Sequence, residues 1–287
     1  CICVPIIVFQ FCKGKEFFSK EYWGYALRIG IPIVPHYLSG IILNQGDRIM
    51  IDKMVGKTEV ALYGLAYSIG MLVQLFISGM NSALTPWMYS KIKKGDIRSM
   101  RKVLQLLSVV VVGIAVALML ISPELVLIFG SPKYREAVYV IPPVAASVFF
   151  IFIYNILSMP QFYYEKTQFL MAASMAAAGA NVVLNFIFIR LFGYIAAGYT
   201  TLACYMLYSV GHYIVSKRIL VNEGIQENLM NPGFLLACSV FLIGASIICN
   251  LIFPYRILRY AILLASAGLV FWKKELLLKT MADIRKK

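Results

Sequence analysis

Long apolar runs, each closed by a few polar or charged residues, set the organisation of this chain. Runs long enough to cross about 30 Å of hydrocarbon fall near residues 22–43, 60–87, 103–129, 137–158, 168–190, 193–216, 233–253 and 255–272, after a shorter apolar stretch, Cys1–Cys12. Strict period-two alternation and the turn chemistry of barrel hairpins are both missing. In lipid each spanning segment must also satisfy its own backbone polar groups, which a helix does. The pattern predicts an all-α, polytopic transmembrane helix bundle with about eight complete spans, the last two separated only by a tight turn at Pro254-Tyr255.

One run differs from the rest. Between Tyr25 and Ile51 the apolar pattern is broken by Arg28, Pro32, Pro35, His36, Asn44, Asp47 and Arg48. Proline removes backbone donors and loosens a helix, and hydrocarbon tolerates such polar groups only when they face protein or water. This segment is therefore expected to be a broken helix beside a cavity, and the one around which the chain is organised. Asn155, Asn181 and Asn185 are the other intramembrane amides. The last two, one helical turn apart, suit either a hydrogen bond to a neighbouring helix or a polar cavity wall. Small residues at Ala172–Ala180 and Gly193–Gly198 predict close packing in the bundle interior. Pro86, Pro123 and Pro142-Pro143 predict bends or breaks near helix ends, and Tyr22, Trp23, Trp87, Tyr89, Tyr163, Tyr164 and Trp272 read as interfacial belts.

Composition agrees with this pattern. Of 287 residues, 61% are hydrophobic and 14% charged, against about 45–50% and about 25% in soluble domains. A net charge of +14 would suggest nucleic acid in a soluble chain. Here Lys and Arg sit between apolar runs, where they set orientation, so nucleic acid is excluded as a partner. Eighteen of the 27 basic residues fall in alternate connectors and at the C-terminus, eight in the opposite set, and Arg28 in neither. The richer set, which includes six basic residues in Ser90–Lys102 against the lone Asp96, is expected to be cytoplasmic. The six cysteines have no metal-ligand spacing. The chain opens on Cys1 inside an apolar run, which reads as a fragment whose upstream part is missing. No phosphate loop, HExxH or GxSxG motif is present, and the two histidines lie far apart without a carboxylate partner. No enzyme and no cofactor is therefore expected. No acidic residue stands clearly in the middle of a run, an absence that argues against a proton-coupled drug or metabolite antiporter.

Several motifs carry a family resemblance. Ile29-Gly-Ile-Pro-Ile-Val-Pro-His-Tyr-Leu-Ser39, Asn44-Gln-Gly-Asp-Arg-Ile-Met-Ile51, Tyr63-Gly-Leu-Ala-Tyr-Ser-Ile-Gly70, Ala83-Leu-Thr-Pro-Trp87, Ile141-Pro-Pro-Val-Ala-Ala146 and Phe192–Thr201 together resemble bacterial polysaccharide flippases. These are the Wzx-type transporters of lipid-linked oligosaccharides in the multidrug/oligosaccharidyl-lipid/polysaccharide exporter superfamily. The resemblance runs from about Tyr22 to about Arg218. It implies a second, MATE-like lobe, with residues 1–12 ending a preceding helix, 13–218 forming the lobe core, and 219–287 adding two helices and a basic tail. It further implies a multi-pass protein of the bacterial cell membrane that flips an undecaprenyl-diphosphate-linked repeat unit by alternating access. Membrane lipids, that glycan, the missing first lobe and a polysaccharide polymerase are its implied partners, and a MATE-like antiporter is the alternative. Arg28, His36, Asn44, Asp47, Arg48, Asn155, Asn181 and Asn185 are the residues expected at the substrate cavity. For Arg28 two roles stand open: a bidentate phosphate contact, or snorkelling to the interface from about 9 Å inside the helix.

The charge asymmetry generates a test. A single cysteine placed in the Ser90–Lys102 connector, with native cysteines replaced, is expected to resist a membrane-impermeant thiol reagent in intact cells and to label after permeabilisation. Labelling in intact cells would reverse the orientation.

Overall fold

The computed structural model describes residues 3–14 and 18–272. Cys1 and the basic tail from Lys273 onward, both used in the sequence reading, lie outside the described residues. The order is α1 (Cys3–Gly14), α2 (Lys20–Met54), α3 (Lys57–Gly70), α4 (Leu72–Lys93), α5 (Ile97–Phe129), a 3-10 helix (Pro132–Val140), α6 (Ile141–Tyr163), α7 (Thr167–Phe192), α8 (Ile195–Asn222), α9 (Pro232–Ile252) and α10 (Arg256–Trp272). Among the described residues there is no strand, so the expected all-α bundle holds.

Among the described residues six stretches are long and apolar enough to cross a membrane: Lys20–Met54, Lys57–Lys93, Ile97–Phe129, Pro132–Tyr163, Thr167–Phe192 and Pro232–Ile252. The other two predicted spans are helices of a different character. At 28 residues α8 is long enough, but Thr200, Thr201, Tyr205, Tyr208, Ser209, His212 and Ser216 are buried along it and dilute its apolar character. Of the last helix, α10, 17 residues are described.

Packing centres on α6. From Ile141 to Ile153 every residue is buried, because α8 covers one side while α5, α4, α9 and α3 close the others. The expectation that the Tyr25–Ile51 helix is the organising centre is thus corrected. α2 lies at the side, packed chiefly along α7, with Ile31, Val34, Tyr37, Leu38 and Ile41 exposed. The expected break in α2 is also absent: one helix of 35 residues runs through both prolines. Proline at 32 and 35 removes the amides that would reach the carbonyls of Arg28 and Ile31, yet membrane helices commonly tolerate this because the flanking turns and neighbours compensate. Pro86 and Pro123 likewise sit inside continuous helices, whereas Pro142-Pro143 starts α6, where missing donors cost nothing. The basic connector is less solvated than its charge suggests. Lys91 is buried and pairs with Asp96 at 2.7 Å, and Arg101 Nε donates to the Asn228 carbonyl at 2.7 Å. The small-residue stretch of α7 is only half interior, since Ala172, Met175, Ala176 and Gly179 are exposed while Ser174, Ala177 and Ala178 are buried.

Two glycines answer specific demands. At Gly193, φ is 75°, a left-handed conformation that ends α7 and turns the chain into α8. At Gly70, α3 meets α6 so closely that a Cβ would lie 2.6 Å from Cγ1 and 2.9 Å from Cβ of Val144. Both atoms belong to a β-branched side chain with one favoured rotamer in a helix. Gly70→Ala is therefore expected to destabilise the detergent-solubilised protein by about 1–3 kcal/mol. Val144→Ala in the same chain should recover part of the loss in thermal unfolding, whereas independent, additive losses would refute the close contact.

Candidate functional site

Four helices, α2, α3, α6 and α8, enclose a cavity of about 730 Å³. On α2 the helical period brings His36, Gly40, Asn44 and Arg48 to one face, at four-residue intervals, and all four line it. Opposite them stand Tyr67 from α3, Tyr154, Asn155 and Ser158 from α6, and Tyr205 and Tyr208 from α8. The wall is aromatic with polar tips. Tyr154 stacks on Tyr205 with centroids 6.2 Å apart and planes within 8°, and meets Tyr208 at 4.5 Å with the rings tilted by 32°. The hydroxyl of Tyr67 donates to Asn44 Oδ1 at 2.7 Å, and the hydroxyl of Tyr208 is hydrogen-bonded to His36 Nδ1 at 3.1 Å. Arg48 is the cationic side chain of the lining: its guanidinium stands 5.1 Å from the Tyr67 ring centroid, and Nη1 donates to Gln45 Oε1 at 3.1 Å. Its Nε is buried without an acceptor.

Behind this wall lies a closed polar knot. Asp47, completely buried on α2, accepts from three neighbouring helices: Tyr63 Oη at 2.5 Å from α3, Asn185 Nδ2 at 2.6 Å from α7, and Thr201 Oγ1 at 2.7 Å from α8. Asn185 Nδ2 also donates to Asn181 Oδ1 at 3.2 Å, Asn181 Nδ2 donates to Thr201 Oγ1 at 3.4 Å, and Thr200 Oγ1 donates to Asn185 Oδ1. Among the described residues no ion pair reaches Asp47. A carboxylate with only neutral donors, inside a bundle of membrane-length helices, is a group whose charge a cation or proton can compensate. This corrects the expectation that no acid stands inside a span. The predicted run stopped at residue 43, whereas α2 continues to Met54 and carries Asp47 into the protein.

The structure sorts the eight residues expected at the cavity into three groups. His36, Asn44, Arg48 and Asn155 line it. Asp47, Asn181 and Asn185 do not; they form the buried knot next to it. Arg28 joins neither, because it is exposed near the start of α2, outside the lining, and its expected place at the cavity is corrected. The two histidines are drawn together, with Tyr208 against both: its ring centroid lies 4.5 Å from that of His212, which accepts from Gln161 Nε2 at 2.7 Å. Glu165, in the turn between α6 and α7, accepts from Tyr25 Oη at 2.5 Å. Sequence reasoning missed Tyr63, Tyr67, Tyr154, Tyr205, Tyr208, Thr200 and Thr201. Their signal was available: Tyr63 and Tyr67 are four apart, and Thr201, Tyr205, Tyr208 and His212 follow a helical stripe on a run otherwise apolar enough to hide them.

If Asp47 is the shared acceptor of three helices, Asp47→Ala leaves buried hydroxyl and amide donors unmet, at ~1–3 kcal/mol for each unsatisfied group. Thermal unfolding of the purified protein should fall steeply. In a double-mutant cycle, Asp47→Ala with Thr201→Val should be non-additive by about 0.5–3 kcal/mol, and additivity would dissolve the knot.

Comparisons with known proteins match part of the chain. The family described as "Polysaccharide biosynthesis protein" matches residues 2–93, a range that holds the helix carrying His36, Asn44, Asp47 and Arg48. A protein of the Lsg locus of Haemophilus influenzae is 28% identical over 173 residues, which is 56% of this chain and 42% of that protein. An uncharacterized membrane protein of the same organism is 29% identical over 167 residues, 54% of this chain and 40% of that protein. The chain spans about two-fifths of the length of these curated relatives. No solved structure matches it. The expected resemblance to proteins of polysaccharide biosynthesis is borne out as sequence similarity over residues 2–93.

Proposed function

We propose, with that similarity as the premise, that this multi-pass membrane chain is part of a transporter that flips undecaprenyl-diphosphate-linked oligosaccharide repeat units from the cytoplasmic to the outer leaflet of a bacterial cell membrane. The observation that carries the reading is the chemistry of the 730 Å³ cavity. Flat tyrosine faces suit the apolar faces of sugar rings. Asn44, Gln45 and Asn155 offer amide donors and acceptors to hydroxyls, and Arg48 offers a planar fork to phosphate. A headgroup of sugars and phosphates cannot shed its water into hydrocarbon, whereas these groups replace its hydration while the polyprenyl tail stays in lipid. The molecule is moved and not altered. In this reading the remaining length of the protein supplies a facing lobe, and the apolar outer face of α2 lies towards lipid or that lobe.

A second reading has a specific observation in its favour. A buried acid was the feature that would point to an antiporter of the same fold, and Asp47 is one. The same group serves a flippase equally well as the site where an ion gradient acts on the helices, so it separates the two readings only through the cargo.

The test uses the full-length protein in flippase-deficient cells at matched membrane abundance. Arg48→Lys keeps the charge but loses the fork, and delivery of the repeat unit to the outer leaflet is expected to drop by roughly tenfold, or about 1.4 kcal/mol. Arg28→Lys, outside the cavity, should transport like the unaltered protein. Unchanged delivery by Arg48→Lys would remove the guanidinium contact. Export of organic cations from energised vesicles without restored surface polysaccharide would give the protein to the antiporter class.

A further inference from the structure

A second cavity, of about 690 Å³, lies apart from the first, between the C-terminal turns of α5, the 3-10 helix and the turn joining α9 to α10. It belongs to the end of the bundle where α2 passes into α3, since Lys57 and Thr58 line one small pocket together with Lys133 and Tyr134. That end has the sparser set of basic residues, yet Arg135, Arg256 and Arg259 converge on this one cavity. Two carboxylates accompany them, Glu124 and Glu136, so one positive charge is in excess. The three arginines are not equivalent. Arg259, only 3% exposed, is fixed by protein: Nη1 and Nη2 each donate to Glu124 at 2.8 Å, Nη1 also donates to the Leu120 carbonyl at 2.6 Å, and Tyr260 Oη donates to the same carboxylate at 3.0 Å. Even so, its Nε is buried with no acceptor. Arg135 and Arg256 are exposed, and among the described residues neither has a carboxylate partner. Arg256 is steadied by the Tyr260 ring, 5.5 Å from its guanidinium.

Beside these charged groups the wall is apolar. Val138 and Phe253 are buried, while Leu127 and Tyr139 are exposed. Two guanidinium groups without a carboxylate partner, above an exposed apolar flank, match an amphiphile with a negative head and hydrocarbon below it. Neither a soluble anion nor a sugar would use the flank. We infer that this cavity binds an anionic phospholipid of the adjacent leaflet, with its phosphodiester against Arg135 and Arg256 and an acyl chain along Leu127 and Tyr139. The Glu124–Arg259 pair closes the floor and ties α5 to α10. The site is independent of the cargo cavity and does not depend on what is transported.

The experiment is native mass spectrometry of the full chain released from mixed micelles of phosphatidylglycerol and phosphatidylcholine. Preferential retention of phosphatidylglycerol is expected, and the Arg135→Gln/Arg256→Gln pair should lower that preference by about thirtyfold, from ~1 kcal/mol per arginine. Lys53→Gln/Lys57→Gln, which removes two charges near the same end of the bundle, should leave it intact. Leu127→Trp, with every charge kept, should expel the lipid by filling the flank, and it serves as the second arm if the arginine pair unfolds. The proposal is overturned by an absence of preference in the unaltered protein, by equal loss in the lysine and arginine variants, or by retention in Leu127→Trp. Displacement of phosphatidylglycerol by inorganic phosphate would assign the arginines to a soluble anion and likewise overturn the lipid.

Discussion

The carboxylate of Asp47 has no room to be solvated. It lies among membrane-length helices, completely buried, and every hydrogen bond it accepts has to come from another helix. Water would satisfy such a group anywhere else in a protein, but in this setting protein donors must replace it. Tyr63, Asn185 and Thr201 do so from three directions, so one side chain sets the relative positions of α2, α3, α7 and α8. These are neutral donors, which leave the charge uncancelled, and an uncancelled charge responds to whatever cation or proton reaches it. The same arrangement that holds the helices in register is thus able to make their register depend on an ion.

The cavity is a consequence of that register. With α2 held at Asp47, the neighbouring turns of the same helix turn His36, Asn44 and Arg48 towards α6 and α8. α6 is nearly all apolar as far as Ile153 and becomes polar only at Tyr154, Asn155 and Ser158, where it faces the space. Tyrosine suits such a wall because its ring packs as a hydrophobe and its hydroxyl finds a partner on the next helix. Some of the polar tips that face the cavity are therefore also ties between helices, as Tyr67 with Asn44 and Tyr208 with His36 show. In the transporter reading proposed above, a cargo that competes for those hydroxyls would loosen the ties, a direct physical route from binding to helix movement.

Charge is distributed by a different logic. Near the Ser90–Lys102 connector, Lys91 and Arg101 are drawn into hydrogen bonds with protein, and the helical ladder around them ends in short turns. At the opposite end basic residues are fewer, and Arg259 is used structurally, where the fork grips both oxygens of Glu124. Arginine suits that position because its planar donors meet a carboxylate in two parallel bonds, and one such contact fastens the last described helix to α5.

From the amino-acid sequence alone came the helical class, most of the spans and the four residues, His36, Asn44, Arg48 and Asn155, that meet at the cavity. Hydropathy reports these because lipid imposes the same demand on every spanning segment, and a polar residue there must find protein or water. Tertiary structure decided the rest. Whether Pro32 and Pro35 break α2 depends on what packs beside it, whether α2 or α6 is central depends on how many neighbours each acquires, and neither quantity is local. Arg28 and Arg48 look alike in the sequence, twenty residues apart on one helix. Only the helix partners show that one ends exposed near the first turns of α2 and the other lines the cavity. Asp47 was legible as a polar residue of this helix, but its burial was not: nothing in the run foretold that Tyr63, Asn185 and Thr201, up to 154 residues away, would come together around it.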